Sequence, residues 1–148
     1  MKLADIVEIF ISGDWGEESI SEETSNAVYC VRGADIVPII NHDFTNIPKR
    51  YICKRSKETK VLQVGDLIIE KSGGSPTQST GRIVYVSEDL IKAKGNIVCS
   101  NFCTAFRVKP EWNPLFIYYY WQNIYNHGAF FNFEGMSVFG SEVCLLFM

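Results

Sequence analysis

The 148-residue chain has the length of one domain, and its 47% hydrophobic and 21% charged residues are those of a globular protein, not a disordered one. No apolar run approaches the roughly 20 residues a bilayer-spanning helix needs, and Met1-Lys2-Leu3-Ala4-Asp5 meets a carboxylate too early for a signal peptide; a soluble, cytoplasmic domain is expected. The net charge of −3 hides a segregation: residues 1–48 carry two bases against nine acids and residues 49–109 twelve bases against five, so one basic surface on an acidic body is expected.

Leu3, Ile6, Val7 and Phe10 recur at helical spacing before Gly13, which predicts an amphipathic helix over 3–11. Residues 12–26 are polar, acidic and aperiodic, as in a loop. The β-branched runs 27–31 and 36–40 predict strands separated by Arg32-Gly33-Ala34-Asp35. From 49 to 60 come six bases, Lys49, Arg50, Lys54, Arg55, Lys57 and Lys60, on a charged surface helix or loop. Such cations suit phosphates and make affinity depend steeply on salt.

Gly65-Asp66 predicts a turn in which glycine permits tight backbone and the aspartate caps amides. Leu67–Lys71 then reads as a buried strand. The loop 72–81 is small and polar apart from Pro76, and a strand over 82–86 leaves it. Further strands are expected at 97–99 and 102–108. Asn113 is an N-cap with Pro114 in the first helical position, opening a helix to about Asn126 that Gly128 closes. Its stretch 116–121 is apolar or aromatic on every side, so the helix is buried all round or packs on a partner. These elements make an α+β domain: a mixed, strongly twisted sheet or partial barrel, a short N-terminal helix and one aromatic-rich C-terminal helix.

No residue pattern in the chain makes a convincing catalytic centre. Cys30, Cys53, Cys99, Cys103 and Cys144 show no CxxC spacing, and His42 lies far from His127, so reduced, hydrophobic thiols are expected and no metal. The glycine-rich loop is followed by a strand, whereas phosphate loops need a helix N-terminus and a GxxxxGK[ST] pattern. Asn113-Pro114-Leu115-Phe116 faintly resembles an amino-methyltransferase motif, but no cofactor-binding βα unit accompanies it. Glu58-Thr59-Lys60 with Asp66 and Glu70 supplies nuclease-type fragments without the required upstream aspartate. No cofactor is expected.

The block Gly65-Asp66-Leu67-Ile68-Ile69-Glu70-Lys71-Ser72-Gly73-Gly74, followed by Gly81-Arg82-Ile83-Val84-Tyr85, resembles the signature of type I restriction-modification specificity subunits. Ile11–Gly16, Val31-Arg32-Gly33-Ala34-Asp35-Ile36, Ser100-Asn101-Phe102 and the tyrosine-rich helix at 113–126 support it, and the similarity spans about 3–135. The resemblance implies a single target-recognition domain, without catalysis, that reads one half of a bipartite sequence in double-stranded DNA. Its partners would be a methyltransferase subunit and a motor-nuclease subunit.

Lys71, Ser75, Thr77, Gln78 and Arg82 are then the candidates for loop or base contact, Gln suiting adenine and Arg suiting guanine. Gly65, Asp66, Gly73 and Gly74 are expected to serve the fold, and Trp15, Trp112 and Trp121 the core or an interface. The tail 136–148 matches the family poorly and brings no spacer helix. A fragment, a truncated product or a half-subunit that dimerises is therefore expected, with docking to the methyltransferase dependent on a spacer helix supplied elsewhere. The competing expectation is a truncated protein-interaction module, built on the aromatic helix, that does not bind DNA.

Overall fold

The computed structural model describes residues 3–73 and 75–130. Helix α1 (Leu3–Ile6) lasts one turn and becomes strand β1 (Val7–Ser12). The helix expected over 3–11 is thus mostly strand. Val7, Ile9 and Ile11 suit an extended backbone, and pairing with β7 (Cys103–Val108) decides against the weaker helical spacing. A register irregularity between Val7 and Ile9 turns β1, so that Val7 and Ile11 enter different core clusters.

Strand β2 (Asn26–Val31) forms as expected, but the run 36–40 is a helix, α2 (Ile36–Ile40), entered through a 3-10 turn at Gly33–Asp35. Ile36 and Ile39 are buried while Val37 is exposed, which is helical spacing. Pro38 is tolerated because it lies in the first turn, where backbone N–H groups lack intrahelical acceptors. The basic segment divides into strand β3 (Lys49–Ile52) and helix α3 (Lys54–Lys60), the latter capped by Cys53, whose Sγ accepts from the Ser56 amide.

Strands β4 (Leu67–Glu70) and β5 (Ile83–Tyr85) flank the polar loop. Gly65, at φ +95°, makes the turn into β4. Helix α4 (Glu88–Lys94) has no counterpart among the elements expected from sequence; Ser87 caps it by accepting from the Leu90 amide. Strand β6 (Ile97–Cys99) and the aromatic helix α5 (Pro114–Asn126) complete the fold, and Asn113 caps α5 as the sequence predicts.

The domain is α+β, with two sheets and no closed barrel among the described residues. One sheet is antiparallel, ordered β1-β7-β4-β5; the other is mixed, ordered β3-β2-β6 with β2 and β6 parallel. Between them lies a core containing Val31, Ile36, Ile68, Val84, Leu90, Ile97 and Cys99. On the far side of the antiparallel sheet, α5 buries Ile117 and Trp121 against Leu67, Ile69 and Phe106. Strand β4 therefore faces protein on both sides, and all four of its residues are buried. No described helix is long and apolar enough to cross a membrane.

This topology gathers loops at one end of the sheets. The Asp14 amide donates to the Cys99 carbonyl, the Trp15 amide to Asn101 Oδ1, and the Lys71 and Ser72 amides to the Phe102 carbonyl. Segments 12–16, 71–82 and 100–102 thus adjoin, and Gly33 reaches the same place through its contact with Glu70.

Candidate nucleic-acid interface

The loop 72–81 is the tip of the β4–β5 hairpin. Ser75 and Gln78 exchange backbone hydrogen bonds of 2.7 and 3.1 Å around Pro76-Thr77, and Ser75, Pro76 and Thr77 are exposed. Below the tip the hairpin is fastened to the body. Tyr125 Oη donates to the Ser79 carbonyl and Trp121 Nε1 to the Gly81 carbonyl, both at 2.8 Å. A small, polar segment with little apolar surface to bury is thereby held by hydrogen bonds from α5.

At the root lies a buried ion pair. The Glu70 side chain is 2% exposed and accepts two bonds from Arg82, Nε at 2.8 Å and Nη2 at 2.7 Å. Gly33 and Gly73 close over this carboxylate; a Cβ would stand 2.6 Å from Glu70 Oε1 at Gly33 and 3.2 Å at Gly73, where φ is also +120°. Arg82, expected beside the loop as a guanine reader, holds the hairpin together through this pair. Gly74 lies outside the described residues.

Two more pairs have this form. Asp66, fully buried, takes Arg107 Nε at 2.8 Å and Nη2 at 2.9 Å, and caps the Gln63 amide at 2.8 Å. Asp35 takes Arg32 Nε and Nη2 at 2.9 Å each and also the Arg32 amide. Planar guanidinium forks suit such bidentate binding. Hydrogen bonding to the carboxylates pushes the pKa values of all three arginines above their ordinary value. Arg32, Asp35, Asp66 and Arg82 all lie in the motif segments, so those segments are spent on joining the hairpin, the 32–35 turn and β7. Sequence reasoning misses Glu70 and Arg107 as partners, although a glutamate ending a wholly apolar strand signals that a cation must meet it.

No family model matches the chain, and no curated protein matches it either.

The basic segment divides by strand alternation. Lys49 is exposed, with Nζ 5.9 Å from the centroid of the Tyr51 ring. Arg50 points the other way: it is 7% exposed, stacks 3.9 Å over the Trp15 ring and pairs with Glu18 at 3.1 Å. Expected among the phosphate contacts, it belongs to the wall of a cleft of about 670 Å³ that Glu17, Glu18 and Glu23 also line. Lys54, Arg55 and Lys57 are exposed on α3, Lys54 lying 4.0 Å from Glu58. Lys60 Nζ donates to the Gly13 carbonyl at 3.2 Å, which ties the end of α3 to the loop cluster. Lys71 is half-buried there, and Gln78 leans over Arg82. Trp121 is core, while Trp15 and Trp112 are partly buried.

The nuclease-type fragments do not converge: Glu58 is exposed on α3, whereas Asp66 and Glu70 are each filled by an arginine. The described residues contain no group of three His, Cys, Asp or Glu able to hold a metal ion. Burial pushes the thiol of Cys30 up to about 12 and that of Cys103 to about 11, and raises Cys99 as well. Cys53, capping α3, is held below the ordinary thiol value by the Ser56 amide. Thiolates are the reactive form. With a disulfide reagent at pH 8 followed by peptide mapping, Cys53 is expected to react first among the four cysteines of the described residues, and Cys30, Cys99 and Cys103 only on unfolding. Equal rates at all four would refute this packing.

Proposed function

We propose that the chain is the target-recognition domain of a type I restriction-modification specificity subunit, a cytoplasmic DNA-binding protein that contributes no catalysis. The observation that carries this reading is the hairpin: ion pairs and α5 fix its root, while a polar tip is left exposed. A recognition element held this way loses little conformational entropy on docking. The tip offers Ser75 and Thr77 to base edges, while Lys49, Lys54, Arg55 and Lys57 supply phosphate contacts. Methyltransferase and motor-nuclease subunits are its proposed partners, through a spacer helix supplied elsewhere, or in a pair of copies.

The test is duplex binding across a salt series. Affinity is expected to be weak, in the non-specific range of roughly 10⁻⁴–10⁻⁶ M at physiological salt, and to fall steeply as salt rises. Replacing Lys54, Arg55 and Lys57 together with alanine is expected to weaken binding to all sequences alike. The slope of log K against log salt should flatten by up to about 0.9 for each phosphate that is no longer neutralised. An unchanged slope in the folded variant removes α3 from the interface.

A second reading, a protein-interaction module, draws on the uncharged helix α5, which exposes Leu115, Phe116 and Tyr119. Under that reading the full chain shows no salt-dependent duplex binding.

A further inference from the structure

We propose that Gln78 is a positioning residue that holds the hairpin tip through Arg82 and does not itself read a base. The inference rests on the DNA-recognition reading and deepens it, because it divides the tip into residues that support and residues that contact.

The Gln78 amide lies beside the Arg82 guanidinium. Turned oxygen-inward, it accepts from Nε at 3.1 Å and Nη2 at 3.2 Å; turned the other way, its N–H groups would face only donors. The oxygen-inward form is therefore assigned. Arg82 keeps shorter bonds to Glu70, at 2.8 and 2.7 Å, so Gln78 takes the longer branch of a shared arrangement. The line Glu70–Arg82–Gln78 thus runs from the buried root to the residue that closes the tip. Gln78 closes it through its backbone bonds to Ser75.

The geometry also separates this role from base reading. A glutamine that reads adenine uses its amide oxygen and its N–H group together, bidentately. Here the oxygen is committed to Arg82, and Arg82 is committed to a carboxylate that is 2% exposed. The exposed tip side chains are those of Ser75, Pro76 and Thr77. Ser75 Oγ lies 3.3 Å from Thr77 Oγ1, so the two hydroxyls stand together on the tip. Base contact from this hairpin accordingly falls to Ser75 and Thr77.

Two substitutions in the full chain decide the matter. Gln78→Met keeps length and removes the acceptor. Gln78→Glu keeps an acceptor for Arg82 but loses the N–H donor that adenine recognition needs. The first readout is amide hydrogen exchange at Ser75 and needs no DNA. Gln78→Met is expected to speed it by about 3- to 10-fold, the loss of one ordinary hydrogen bond, with Gln78→Glu close to the starting protein. The second is selection from a randomised duplex library: Gln78→Met should blur every position read by the hairpin, and Gln78→Glu should keep the original preference. Unchanged Ser75 exchange in a folded Gln78→Met chain overturns the proposal, as does a Gln78→Glu chain that trades one preferred base for another. If the unsubstituted chain selects no sequence, the DNA reading falls and the exchange data alone decide the positioning role.

Discussion

Arg82→Ala is expected to destabilise the domain by about 3–5 kcal/mol, the usual cost of removing one partner from a buried ion pair. Glu70 is 2% exposed and spends both oxygens on this one guanidinium. The close approach of Gly33 and Gly73 leaves little room for water to replace it. The variant must bury an unpaired carboxylate, protonate it, or open the hairpin root. Arg82→Lys keeps the charge but not the fork, and should fall between the two. Urea unfolding followed by far-ultraviolet circular dichroism measures the difference; an Arg82→Ala midpoint equal to that of the starting chain would show that the pair does not hold the root. Because Arg82 holds the hairpin root, a change in sequence preference on replacing it does not by itself identify a guanine reader.

The legible parts of this chain are those where one local signal dominates. Asn113-Pro114 marks the start of α5, and the apolar run 67–69 after the Gly65-Asp66 turn marks β4. Capping geometry and strand burial are local properties, so neighbours in sequence suffice to read them. The expected helix at 3–11 and strand at 36–40 give way because short apolar runs suit both conformations until partners choose. Strand β7 chooses for the first, and the Arg32–Asp35 turn for the second. In the candidate interface, the polar loop and its flanking strands are readable, but which cations remain free is not. Arg50 and Arg82 read as exposed bases because Trp15, Glu18 and Glu70 lie 12–35 residues away and only the fold brings them to the guanidinium groups. The charge segregation is real in sequence, yet several of its bases are consumed internally: Arg107 by Asp66, Arg82 by Glu70 and Lys109 by the Asp5 carbonyl.

Trp121→Ala is expected to cost about 3–5 kcal/mol, as large aromatic truncations in a core do. Trp121 is fully buried, stacks on Phe130 with ring centroids 5.2 Å apart and lies 6.3 Å from Phe106. It joins two structures at once, since its ring fills the core beneath α5 while its Nε1–H holds the Gly81 carbonyl at the hairpin root. Trp121→Phe separates those roles. It retains most of the aromatic packing and removes the donor, so a smaller loss of about 1–3 kcal/mol is expected, the cost of a buried group left without its partner. That loss should be concentrated in the hairpin: amide exchange at Gly81 and Ser75 should accelerate in Trp121→Phe while amides of β7 stay protected. Trp121→Ala, by contrast, should lower protection across β4, β5 and β7 together because it removes shared core. Uniform loss of protection in both variants would mean that the indole hydrogen bond contributes nothing specific to the hairpin. The 72–81 loop would then be held by its ion-paired root and by the Tyr125 hydroxyl on the Ser79 carbonyl.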